Sequence, residues 1–189
     1  DITFRLATLD PFGNCTNGIE HTNSHESNVG DNYSKINQWD RSRYLNIWTV
    51  QTIGSGAGAF SFYPSATDGN SFWFDGIISR HAQTGSIGTS TSESTITHET
   101  GHWLNLAHVW GNTNDAGVSC GDDGVGDTPP TAGHLGGCPL NDENCDTIVE
   151  NTQNYMDYAS CENMFTPGQV ERMENALIGI SGQRNNLWL

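Results

Sequence analysis

Apolar and polar residues alternate with a period of two in only a few short stretches of this chain, and those stretches predict its strands. Residues 2–8 (ITFRLAT) alternate as a half-buried strand and end in a turn built on Asp10, Pro11 and Gly13. Residues 17–43 are polar and predict an irregular surface excursion. Residues 44–53 (YLNIWTVQTI) give the clearest strand, a glycine-rich break follows over 54–58, and 59–63 predict a short extension. Residues 75–80 (DGIISR) predict one more strand. A helical signal appears twice. Ser90 with Glu93 forms a capping-box pattern ahead of a helix over about 91–104. Thr166, Pro167 and Gln169 supply cap, first-turn proline and return bond for a last helix, whose apolar face is Val170, Met173, Leu177 and Ile180. Between the two, residues 109–154 have no period at all, and so long a stretch is usually functional, metal-bound or cross-linked.

Composition places those elements in one compact domain of 189 residues, without a linker or an internal repeat. With 7 Lys+Arg against 22 Asp+Glu the formal net charge is −15, which argues against nucleic acid and anionic membrane surfaces as partners. No apolar run is long enough to span a bilayer, and the first residues are not a signal peptide, so any leader is expected to be already removed. Cys120, Cys138, Cys145 and Cys161 fall in the aperiodic stretch and just beyond it, with no Cys-x-x-Cys pair. Two disulfides and an oxidising, extracellular compartment are expected, and spacing alone leaves three connectivities open. Cys15 is the odd one, free or paired outside this chain.

The chemistry concentrates at His98-Glu99-Thr100-Gly101-His102, with His108 beyond. Positions i and i+4 share a helix face, so His98 and His102 can converge on one metal ion while Glu99 stays free to act as a base. The four-residue pattern is expected by chance in roughly one such chain in two thousand, so incidental surface histidines are a poor account. On a continuous helix His108 would be turned about 240° away from His102. The helix must therefore stop between them, and Asn105 stands where a left-handed terminator is wanted. His21, His25, His81 and His134 have no ligand spacing and are expected at the surface.

The run HETGHWLNLAHVW, followed by Asn154-Tyr155-Met156-Asp157-Tyr158 and by FTPGQ, resembles the metzincin endopeptidases, and within them the pappalysins with their ulilysin-like members. The resemblance covers most of the chain and is strongest over 92–175. It implies an α+β zincin fold: a twisted, mixed β-sheet with an active-site helix and a C-terminal helix, and an irregular, disulfide-braced lower subdomain. Residues 1–107 would form the upper subdomain and 108–189 the lower, with the cleft between them. It further implies a secreted zinc endopeptidase acting on proteins or peptides, with His98, His102 and His108 on one zinc ion and Glu99 as general base, then acid. Met156 would pack beneath the metal, and Tyr158 would hydrogen-bond the tetrahedral intermediate. Disulfides Cys120–Cys145 and Cys138–Cys161 follow by the same analogy. The strand and helix that open the family's catalytic domain have no counterpart ahead of residue 2. A separate N-terminal segment or propeptide is thus an expected partner, and Cys15 would suit one.

Asp122, Asp123 and Asp127 crowd three carboxylates into six positions, where unpaired they repel. A structural calcium ion is expected there, held by these acids with Val125 and Thr128, as in ulilysin-like relatives. Two departures from the family stand out. Asn105 replaces the usual glycine, and only Ala159 and Ser160 separate Tyr158 from Cys161, where relatives preferring a basic residue carry an acid. Other readings are an astacin- or serralysin-like metzincin, for which Val109 is the wrong residue after the third histidine, and a catalytically silent metal-binding or adhesion module, for which Glu99 would have no use.

Overall fold

The computed structural model describes residues 2–85 and 94–187. Its strands are short: β1 (Val29–Gly30), β2 (Ile47–Val50), β3 (Thr52–Ile53), β4 (Ala59–Phe60) and β5 (Ile77–Arg80). β5 is central, parallel to β2 with Ile47 opposite Ile77, and antiparallel to β4 with Phe60 opposite Ile78. Ile77, Ile78 and Ser79 are fully buried, as befits a central strand covered on both faces. β1 and β3 form a second, parallel ladder. The long strand expected over 44–53 divides for a local reason. Tyr44 N–H still bonds back to the Asp40 carbonyl, and at Gln51 the chain leaves β5 and donates to the Ser27 carbonyl, beginning the pairing with β1.

Residues 2–7 form no strand. Alternation gives a segment a face, but a ladder also needs a neighbour's backbone, and among the described residues the only pairing here is the bridge of Leu9 with Cys15. Phe4, Leu6 and Phe12 are more than half exposed. The expected excursion over 17–43 is only partly superficial, because Ser34, Lys35 and Arg41 are buried. The Lys35 ammonium donates to the Phe74 and Gly76 carbonyls and sits over the Phe60 and Phe62 rings. Burial pulls its pKa down to about 8, with Asp75 and Glu99 opposing.

Helix α1 (Thr95–Trp103) carries the metal motif, and α2 (Pro167–Ile178) starts with the expected reciprocal box between Thr166 and Gln169. The expected cap at Ser90 and Glu93 lies outside the described residues. The main core joins the two helices: Trp103, Leu104, Leu106, Val109, Trp110, Met156 and Met173 are buried together, with Val170 and Leu177 packed against them. Ile180 does not share that face. The helix ends at Ile178, Gly179 is extended, and Ile180 is 82% exposed. Beyond it, Arg184 is wholly buried, bonds Asp75 twice at 2.6 and 2.7 Å and lies 3.8 Å over the Trp103 ring, which ties the chain's end to α1 and β5. No helix among the described residues is long and apolar enough to cross a membrane.

Residues 109–154 contain no helix or strand. They are held by disulfides Cys120–Cys145 and Cys138–Cys161 and by a bridge between Gly121 and Thr131. Cys15 is free and exposed.

Candidate metal centre and active site

The end of α1 decides the geometry. Asn105 has φ +75°, its N–H bonds the His102 carbonyl at 2.9 Å, and Leu106 N–H reaches back to the Gly101 carbonyl at 2.8 Å. These are the two bonds of a Schellman motif, which satisfies the last carbonyls and reverses the chain. The reversal has two results. The Leu106 carbonyl now faces His102 and accepts from its Nδ1 at 2.7 Å, and His108 returns so that its Nε2 lies 3.2 Å from that of His102. His98 donates its Nδ1 proton to the Tyr155 carbonyl at 2.6 Å. In both cases the bonded Nδ1 leaves Nε2 with its lone pair directed to the common point.

One ring nitrogen from each of His98, His102 and His108 lies within 4.8 Å of the other two, and no other group of metal-binding side chains among the described residues converges in this way. Burial, then mutual repulsion, pulls His98 down to about 3 and His108 to about 2, and burial also lowers His102. All three are thus neutral at physiological pH, the state in which imidazole binds a metal. Donor type, tautomer and protonation fit a borderline-soft ion such as zinc.

Glu99 is buried and takes no part in the cluster. Ser61, just past β4, donates a 2.8 Å bond to its carboxylate and contacts its carbonyl at the same distance. Burial pushes Glu99 up to about 7, while Ser61 and Lys35 hold it back. Tyr158 is 44% exposed with its hydroxyl 2.9 Å from His108 Nε2, and burial of the phenol pushes its pKa up to about 12, so it remains a donor. Met156 is fully buried, and its sulfur would lie 2.3 Å from a Cβ added at Gly101. A side chain at Gly101 is therefore excluded. Ser61, Tyr63, His102 and His108 line a hollow of about 180 Å³ over the cluster. A larger one of about 570 Å³ lies between Asn105 and α2 and touches none of these chemical groups.

The acidic segment is gathered differently. Asp123 accepts from Val125 N–H and Gln169 Nε2, and Asp127 accepts from Gly168 N–H at the start of α2. Arg172 donates to the Asp123 and Gly124 carbonyls, Val125 O accepts from Thr128 N–H, and Asp122 is exposed. The segment thus docks on α2, and its carboxylates do not converge on one point. His134 departs from expectation altogether. It is buried, with Nδ1 2.6 Å from Asp157, and its Nε2 faces Asp142 at 3.5 Å and Glu150 at 3.8 Å. Spacing offered no sign of it, since its partners come from three separate turns.

A model of the peptidase family described as pregnancy-associated plasma protein-A matches residues 28–178. An extracellular metalloprotease of Arthroderma benhamiae is 36% identical over 138 residues, covering 69% of this chain and 46% of the relative. One from Podospora anserina is 32% identical over 182 residues, covering 92% and 59%. The chain spans about half the length of the curated relatives it matches. Mature mirolysin of Tannerella forsythia, solved in complex with a cleaved peptide, superposes with a TM-score of 0.84 at 33% identity, over 98% of this chain and 74% of that one. A promirolysin mutant of the same organism superposes with a TM-score of 0.83 at 33% identity, over 97% of this chain and 64% of that one.

Proposed function

Because the chain belongs to the pappalysin family of peptidases, we propose that it is a secreted, zinc-dependent endopeptidase that hydrolyses internal peptide bonds of proteins. The observation that carries this reading is the convergence of three neutral imidazoles beside a buried carboxylate that is not one of the cluster. Membership sets aside the astacin- and serralysin-type alternatives. The halves 1–107 and 108–189 are read as the two walls of the cleft. Secretion is supported by the extracellular relatives and by the two disulfides.

His98, His102 and His108 would hold the zinc through Nε2, leaving room for one further ligand. When bound, the ion supplies Lewis acidity toward the scissile carbonyl and lowers the pKa of a water molecule toward about 7. Glu99, with a proton affinity near neutrality, takes the proton of the attacking water and returns it to the departing amine. Ser61 fixes the carboxylate through its hydroxyl. Tyr158, protonated at every physiological pH and exposed at the cleft, donates to the oxygen that becomes negative. Cleaved peptide in the mirolysin complex supports a protein or peptide substrate, and the existence of promirolysin supports a propeptide as partner.

Calcium at Asp122, Asp123, Val125, Asp127 and Thr128 is the second part of the cofactor reading. Its support is that burial pushes the Asp123 carboxyl up, an environment in which a hard cation would favour the charged form.

The test pairs metal analysis with digestion of an unstructured protein, with and without a zinc-selective chelator. One zinc per chain and chelator-sensitive cleavage are expected. Zinc without cleavage would establish the silent-module reading instead.

A further inference from the structure

The three histidines are not held alike. His98 and His102 each anchor Nδ1 on a backbone carbonyl, at 2.6 and 2.7 Å. His108 has no such bond: its Nε2 meets Tyr158 and His102, and its Nδ1 has no partner among the described residues. Metal-binding histidines almost always have an outer hydrogen bond, because an imidazole free to turn loses ligand direction and affinity. What His108 has is a ring. Trp110 lies parallel to it, with centroids 4.4 Å apart and 7° between planes. The Tyr158 ring closes the corner edge-on, 5.0 Å from each.

Trp110 is itself closely held. It is 2% exposed, its Nε1 donates to the Asn114 carbonyl at 3.2 Å, and it packs so tightly on Gly133 that a Cβ there would come within 2.2 Å of the indole. Gly133 has φ +74°, so this position suits glycine on two counts. We propose that Trp110 is the positioning residue of the third histidine, fixing the His108 ring plane for the metal by stacking where hydrogen bonds fix the other two. An indole face also favours a ring that becomes partly positive on binding a cation, so the contact strengthens when the metal is bound.

This rests on the zinc reading above, and the experiment separates the two. Zinc-loaded wild type, Trp110→Leu and Trp110→Phe are mixed with a chromogenic chelator, and zinc affinity is read from competition. Trp110→Leu should bind zinc at least about tenfold more weakly, the loss typical of an outer-shell partner, while Trp110→Phe, which can still stack, stays within about threefold of wild type. Indole emission gives an independent reading in a variant that keeps the aromatic core: zinc added to metal-free protein should change wild-type emission, and most of that change should be missing in Trp110→Phe. Wild type that takes up no zinc would overturn the metal reading and this inference with it. Leucine-variant affinity equal to wild type, or an unaltered emission change in Trp110→Phe, would overturn this inference alone.

Discussion

Burial acts in opposite senses on the side chains at this centre: it strips protons from the three histidines and favours a proton on Glu99. On the proposed reading, one environment thereby prepares both the metal ligands and the base. Glu99→Ala should retain one zinc per chain and lose roughly 10²–10⁴-fold in peptide hydrolysis, because it removes the base and no ligand. Zinc analysis and a fluorogenic peptide assay on the same sample check it, and full activity would sink the assigned role. Tyr158→Phe should lower kcat by roughly 10²-fold with little change in KM, since its hydrogen bond is called on as charge develops. A change confined to KM would reassign Tyr158 to substrate binding. At this scale the sequence was most legible where chemistry and spacing coincide, as at His98, Glu99 and His102. It was silent on Ser61, Leu106 and Trp110, whose hydrogen bond, backbone reversal and ring packing have no spacing rule of their own.

Elements were legible in proportion to how local their determinants are. The Thr166 box and the stop at Asn105 depend on residues within one turn, and both stand where the pattern puts them. Residues 2–7 needed a partner strand that local sequence cannot supply, and 44–53 changed partners at Gln51. Asn105→Gly should leave zinc affinity and melting temperature near wild type. Asn105→Val should destabilise by about 1–3 kcal/mol, because a β-branched residue resists φ +75°, and should weaken zinc retention by moving Leu106 and His108. Equal zinc affinity in the two variants would detach the helix stop from the metal site.

The second element with a testable role is the segment 134–137 laid against 157–160. Gly136 N–H bonds the Tyr158 carbonyl, and Asp157 accepts from His134 N–H, His134 Nδ1 and Tyr158 N–H. Burial lowers the His134 pKa, but the hydrogen bond and charge of Asp157, with Glu150 and Asp142, outweigh it and raise it above the ordinary value. A pKa raised by folding stabilises fully below the unfolded value, about 6.5, and the contribution fades as pH rises through the folded value. His134→Gln should therefore lower the melting temperature more at pH 6 than at pH 9, with metal content matched. A gap that widens toward pH 9 would mean that the imidazole is neutral in the fold.

Across the whole molecule, a net charge of −15 sits on a chain whose few cations are largely turned inward. Lys35, Arg41, Arg172 and Arg184 all bond internal carbonyls or carboxylates, so the acids on the surface have little left to neutralise them. Self-repulsion at this level destabilises a compact state, and both general screening and a specific cation would relieve it. The two are separable by concentration and by site. Sodium chloride should raise the melting temperature gradually. Calcium bound at 122–128 would act at far lower concentration, by about 2.7 kcal/mol at a hundredfold excess over Kd. For a chain of this size that is about 5–10 °C. The shift should be lost in Asp123→Asn and Asp127→Asn, measured with zinc saturating throughout. If melting curves in excess calcium and in a calcium-selective chelator coincide, the segment is held by Arg172 and the N-terminus of α2 alone, as the hydrogen bonds of Asp123 and Asp127 already permit.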